Sequence, residues 1–187
     1  VFFEFGVGDG SSLLQFYYLY QLNNINNKLY GFDSFEGLPE EKKDIYNPSY
    51  WTVGFFTNFG KINDELLYKE NIKIIKGWFN EILVEDFLKC LDNKEIGIMH
   101  IDCDIYSSAY ECLDFCFKYD LIVDGTIIIY DDWGGYYDKL GKGHEFEVGE
   151  GRAHKEIMEK YDVQNICINK HVITPNFHEI AVFKIIK

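Results

Sequence analysis

Four aspartates stand just past two apolar runs, and together they could hold a cation. Ile96-Gly97-Ile98-Met99-His100-Ile101 leads into Asp102-Cys103-Asp104, and Thr126-Ile127-Ile128-Ile129-Tyr130 leads into Asp131-Asp132. Both runs are short, β-branched and apolar on both faces, as buried strands of a parallel sheet are. Neighbouring strands would bring their ends to about 5 Å from each other. Carboxylates at that spacing repel one another unless a cation or a proton sits among them. Ligation by oxygen alone suits Mg²⁺, Mn²⁺ or Ca²⁺. Either cluster by itself is better read as turn and N-cap aspartates; the two together favour a metal centre.

A second constellation could bind a nucleoside. In Glu4-Phe5-Gly6-Val7-Gly8-Asp9-Gly10-Ser11-Ser12, glycines at alternate positions let the backbone turn sharply and approach a ligand. Helix N–H groups from Ser11 onward would face an anion such as a carboxylate. The spacing is GxGxG, not the GxGxxG of dinucleotide binders. Glu4, leading in, suits a cationic amino-acid ligand, although the glycine run alone could be only a tight turn. Asp33 closes the next apolar run, where an acid meets ribose hydroxyls in nucleoside-binding α/β folds; its alternative is a turn or N-cap residue before Ser34. Gly77-Trp78-Phe79 could stack on a base, or both rings could be core.

The elements that must position these residues alternate along the chain. Strands are predicted at Val1–Phe5, Lys28–Phe32, Asn71–Lys76, the two aspartate-tipped runs, Val163–Asn169 and His178–Ile186. Helices are predicted at Ser11–Leu22, Thr57–Lys69, Glu81–Leu91, Ser107–Lys118 and Arg152–Tyr161. That order gives an α/β fold, a doubly wound and mostly parallel sheet with helices on both faces. Thr174-Pro175-Asn176 is too short for a crossover helix, so the last two strands should pair antiparallel. The segment at about 34–60 breaks the rhythm, with Pro39, Pro48 and the aromatics Phe35, Tyr46, Tyr50, Trp51, Phe55 and Phe56. It reads as a lid over a ligand, or as a surface loop packed by its own rings.

Composition bounds the rest. The 187 residues suit one domain, and 47% hydrophobic with 18% aromatic residues supports a filled interior. A net charge of −13 argues against nucleic acid, which needs a basic surface. No apolar stretch is long enough to span a membrane. The five cysteines lack a framework and read as structural free thiols in a reducing, cytoplasmic compartment. The chain opens inside an apolar run, Val1-Phe2-Phe3, so an upstream segment is expected. Arg152, the only arginine, could meet an anionic substrate group or lie on a solvated face. His100 reads as a core histidine; His144 and His154 lie where either could touch substrate.

These motifs resemble the macrocin O-methyltransferase (TylF-type) family of class I S-adenosylmethionine-dependent methyltransferases. The resemblance rests on Glu4 to Gly10, Gly31-Phe32-Asp33-Ser34-Phe35-Glu36-Gly37-Leu38-Pro39, Trp51 to Gly54, and Lys76-Gly77-Trp78-Phe79. It continues through His100 to Ser107, Tyr130-Asp131-Asp132 and Gly151-Arg152-Ala153. Cys103 departs from it, standing where the family carries a small residue. The resemblance implies S-adenosylmethionine on Glu4, Gly6, Gly8, Gly10, Ser11, Ser12, Asp33, Ser34, Gly77, Trp78 and Asp102. It also implies a divalent cation, Mg²⁺ foremost, on Asp102, Asp131 and Asp132, with Asp104 as general base. The acceptor it implies is a sugar hydroxyl on a metabolite or a surface glycan; self-association is left open. A nicotinamide-dependent oxidoreductase and a non-catalytic nucleoside-binding domain are the alternatives, and the glycine spacing and the four acids count against them.

Overall fold

The computed structural model describes residues 1–44, 51–57, 62–91, 94–133, 144–174 and 178–187. Seven strands form one sheet: β1 (Phe2–Phe5), β2 (Leu29–Asp33), β3 (Ile72–Lys76), β4 (Ile96–Ile101), β5 (Ile122–Tyr130), β6 (Gln164–Thr174) and β7 (His178–Ile186). Their spatial order is β3-β2-β1-β4-β5-β7-β6. β1 to β5 run parallel, while β7 pairs antiparallel with both β5 and β6, the reversal predicted from the short final connection.

Register decides what meets at the sheet edge. Phe5 lies opposite Phe32 on one side and Ile101 on the other, and Ile101 lies opposite Tyr130. The C-terminal ends of β1, β2, β4 and β5 are therefore level, and the chain order reverses between β1 and β4. Open α/β sheets bind ligands at such a switch point.

Helices α1 (Ser11–Leu22), α2 (Phe79–Ile82), α3 (Tyr106–Lys118) and α4 (Gly149–Tyr161) flank the sheet. On α3, Ala109, Cys112, Leu113 and Cys116 recur at helical spacing and are buried, packing with Ala153 and Ile157 of α4. Phe3, Phe5, Phe32 and Phe87 form an aromatic cluster under the other half, with Phe5 and Phe32 stacked at 4.8 Å. Truncating any one to Ala would cost about 3–5 kcal/mol. Cys103, Cys112 and Cys116 are core residues as expected, but Cys90 and Cys167 are exposed; all five thiols are free.

Two predicted helices differ. Of Thr57–Lys69, residues 58–61 lie outside the described residues, and the rest holds only a 3-10 turn, Asp64–Tyr68. Tertiary contacts override the helical pattern there. Asn63 N–H bonds the Asp9 carbonyl at 2.8 Å, and Leu66 buries itself against Gly10, leaving Leu67 and Tyr68 exposed. Glu81–Leu91 is two pieces, α2 and a 3-10 turn at Glu85–Cys90, broken where Val84 is extended (φ −119°, ψ 161°). The adjacent pair Phe87 and Leu88 then fills the core. Helix α4 starts three residues before the predicted Arg152, and β5 and β6 each run longer than predicted.

Candidate active site

A cavity of about 860 Å³ opens over the level strand ends. It falls within the roughly 300–1,000 Å³ of small-molecule sites. Gly6, Gly8, Ser11, Ser12, Asp33, Ser34, Gly77, Trp78, Asp102, Asp104 and Asp131 all line it. Glu4, Gly10 and Asp132 do not.

The glycine turn is built for backbone proximity. Gly6 has φ +87°, and a Cβ there would lie 1.7 Å from the Asp102 carbonyl oxygen. Only glycine lets the turn after β1 touch the turn after β4. Gly10 (φ +83°) serves packing, because its missing Cβ leaves room for Leu66. Asp9 Oδ1 accepts the Ser11 N–H at 2.9 Å, so that helix-start donor is already taken by the chain itself.

Asp33 has a structural part of which the sequence suggests only the turn before Ser34. Its Oδ2 accepts the Val7 and Gly8 N–H groups at 2.8 and 2.9 Å, and its Oδ1 accepts that of Phe35 at 2.7 Å. A carboxylate offers about four lone-pair sites, so acceptor capacity remains toward a diol. Ser34 Oγ accepts the Glu36 N–H at 3.0 Å and shapes the same turn.

Glu4 is fully buried and supports cavity residues rather than lining the cavity. It accepts from Ser12 Oγ and stands 3.2 Å from His100 Nδ1, while its Oε2 has no hydrogen-bond partner among the described residues. Burial opposes charge on His100, but the bond and charge of Glu4, with Asp102 and Asp131 beyond, raise its pKa. His100 is the buried, partnered core histidine that its sequence position suggests, and it also borders the cavity.

The acid cluster converges as predicted. Ligand atoms of Asp102, Asp131 and Asp132 lie within 4.8 Å of one another, and Glu4, His100 and Asp102 form a second such group. Burial, then the charge of Asp131, pushes Asp102 well above the ordinary carboxylate range; burial, then Asp132, does the same to Asp104. Carboxyls in that condition fit a hard cation, which would let them all ionise. Asp104 is not in extended backbone, where alternation would turn it the same way as Asp102. It has φ +64°, and the Ile105 N–H bonds the Cys103 carbonyl across it at 2.7 Å. Such a tight turn at a non-glycine residue stores about 1–3 kcal/mol and marks functional sites.

Sequence reasoning missed Glu150. This fully buried acid in the first turn of α4 accepts the Cys103 N–H through Oε1 at 3.3 Å and the Asp132 N–H through Oε2 at 3.2 Å. The only available signal was an acid between two glycines, Gly149 and Gly151, at a helix start.

Arg152 and two of the histidines have partners within the chain and are not among the residues lining the cavity. Arg152 bonds Glu156 at 2.8 Å and the Lys43 carbonyl at 2.7 Å, and its guanidinium lies 4.1 Å over the Tyr106 ring. His144 pairs with Glu147 at 2.8 Å. His154 is buried beside Tyr130, Trp133 and Phe183, and burial lowers its pKa to about 4.

From the segment predicted as a lid, Ser34, Phe35, Gly37 to Lys43, Phe56 and Thr57 wall the cavity. Backbone bonds at 2.9 Å join Leu38 to Phe55 and Gly54 to Leu38, and Leu38 and Trp51 pack on Ile105. Tyr46, Pro48 and Tyr50 lie outside the described residues. Among the described residues, no helix is long and apolar enough to cross a membrane.

Known structures share this fold. The O-methyltransferase NovP superposes with a TM-score of 0.69 at 17% identity, covering 100% of this chain and 72% of NovP. The calicheamicin methyltransferase CalS11 gives 0.63 at 16% identity, covering 98% and 71%. TomG of Streptomyces achromogenes, an O-methyltransferase of tomaymycin synthesis solved with S-adenosylmethionine, gives 0.60 at 14% identity, covering 100% and 73%. No curated protein sequence matches the chain. The fold is that of class I methyltransferases, and the family model for macrocin-O-methyltransferase (TylF) matches residues 1–167. The chain belongs to the macrocin-O-methyltransferase (TylF) family of S-adenosylmethionine-dependent O-methyltransferases.

Proposed function

We propose that the protein methylates a sugar hydroxyl with a divalent cation's assistance, Asp102, Asp131 and Asp132 holding the ion and Asp104 acting as general base. One observation carries the reading: three carboxylates within 4.8 Å of one another converge at the sheet edge that also holds the glycine turn. The sugar assignment draws support from CalS11, described as a TDP-rhamnose 3′-O-methyltransferase.

When bound, the ion supplies positive charge that stabilises a developing alkoxide. The chain's residues do the rest. Asp33 and the glycine turn hold the nucleoside of the methyl donor, and Trp78 packs on its base. The segment from Ser34 to Lys43 walls the cleft and limits water. A carboxylate oxygen of Asp104 takes the hydroxyl proton. Burial, and then Asp132, makes that carboxylate a stronger base than an exposed one. The new O–CH₃ bond forms as the S–CH₃ bond breaks, and S-adenosylhomocysteine leaves.

The test is methyl transfer to a panel of glycosides, followed by mass spectrometry, with and without EDTA. Chelation should abolish transfer while calorimetry shows S-adenosylhomocysteine affinity nearly intact. Undiminished transfer in EDTA would remove the ion's role. NAD binding without S-adenosylhomocysteine binding would overturn the reading altogether.

A further inference from the structure

Glu150 is a fully buried carboxylate that no step above uses. We propose that it is a positioning residue, clamping the two aspartate-bearing turns together and thereby setting the spacing of the cation site. The inference rests on reading Asp102, Asp131 and Asp132 as ion ligands.

Its two oxygens serve different strands. Oε1 takes the N–H of Cys103, between Asp102 and Asp104, and Oε2 takes the N–H of Asp132. One rigid carboxylate therefore ties the turn after β4 to the turn after β5. As a contribution to stability it is a poor choice. It is fully buried, with the turns that carry Asp102, Asp104 and Asp132 packed around it. Among the described residues, no lysine or arginine pairs with it. A buried acid among acids calls for an explanation beyond packing, and holding two ligand-bearing backbones in register provides one.

The start of α4 is located without help from Glu150. Asp44 Oδ2 accepts the Gly149 N–H at 2.7 Å, Arg152 is tied to Glu156 and Lys43, and a Cβ on Gly151 would meet the Glu145 carbonyl at 1.9 Å. Glu150 is thus presented to both turns from a fixed base. A carboxylate is needed because two N–H donors require two acceptors; a glutamine amide has only one, and its NH₂ would face a donor. Aspartate keeps the charge but is a methylene shorter. The turn at Asp104, with its positive φ, needs such outside restraint to persist.

The experiment measures Mn²⁺ affinity by electron paramagnetic resonance on the whole chain, comparing wild type with Glu150→Gln and Glu150→Asp. S-adenosylhomocysteine affinity and the ion-free melting temperature serve as controls. Both variants should bind Mn²⁺ about 10- to 100-fold more weakly, with a changed zero-field splitting and wild-type S-adenosylhomocysteine affinity. If Glu150→Gln fails to fold, the charge-retaining Glu150→Asp carries the test. Wild-type Mn²⁺ affinity in a folded variant would overturn the inference while leaving the ion site standing. Equal losses of Mn²⁺ and S-adenosylhomocysteine affinity would also overturn it, marking a general structural role. A wild-type protein that binds no Mn²⁺ would instead sink the ion reading beneath it.

Discussion

Replacing Asp131 with Asn should stabilise the ion-free protein and abolish its response to Mg²⁺. Ligand atoms of Asp102, Asp131 and Asp132 lie within 4.8 Å of one another. At an effective dielectric of about 20, two unit charges at 4.8 Å repel by about 3.5 kcal/mol. These side chains are partly exposed and one can take up a proton, so the repulsion actually carried falls to about 1–2 kcal/mol. For a domain of this size, relieving it raises the melting temperature by about 2–8 °C. The sign with pH follows from the raised pKa of Asp102, whose causes are burial and then Asp131. A carboxyl with a raised folded pKa contributes stability fully present below about pH 3.9 and lost as pH rises through its folded value. Wild type in EDTA should therefore lose stability from about pH 4 toward neutrality, and Asp131→Asn should flatten that decline. Mg²⁺ at a hundred times its dissociation constant should restore about 2.7 kcal/mol to wild type, or about 5–11 °C, and nothing to the variant. Scanning calorimetry in EDTA and in excess MgCl₂ reads all of this. A variant no more stable than wild type in EDTA, together with a wild type indifferent to Mg²⁺, would refute the electrostatic reasoning.

Asp33→Ala should weaken S-adenosylhomocysteine binding about ten- to a hundredfold, since hydrogen bonds to a charged group contribute about 1.5–3 kcal/mol; unchanged heats in calorimetry would contradict the ribose role. Gly6→Ala should cost more than about 3 kcal/mol, because a new Cβ would overlap the Asp102 carbonyl at a φ of +87°; a melting curve matching wild type would refute it. Asp104→Asn should slow methyl transfer by about 10²–10⁴ while Mn²⁺ and cofactor affinities persist. Because Asp104 must be ionised to take a proton, and burial followed by Asp132 raises its pKa, the wild-type rate should climb with pH through that value. The climb should vanish in the variant.

The parts of the site legible in the sequence are those written in contiguous residues. Apolar runs with level ends, Gly6 and Gly8, and the aspartates after β4 and β5 each announce themselves within a few positions. Parallel order and the final reversal follow from connection lengths. Glu150 is different, because its partners Cys103 and Asp132 are 47 and 18 residues away and are backbone groups with no sequence signature. The turn at Asp104 is hidden from the sequence for a similar reason. Strand alternation holds only where a neighbouring strand enforces it, and β4 ends at Ile101, so a turn takes over. The helix predicted at Thr57–Lys69 fails in its described part because Leu66 has a better partner in the space beside Gly10 than in its own helix face.

The bare flank of Gly6 has a mechanical consequence. Methyl transfer demands that sulfur, carbon and oxygen fall on one line, and in the function proposed above donor and acceptor are gripped by different segments of chain. Here those segments abut main chain to main chain, with no side chain between them to swivel or compress. The aim of the reaction is therefore inherited from the skeleton itself.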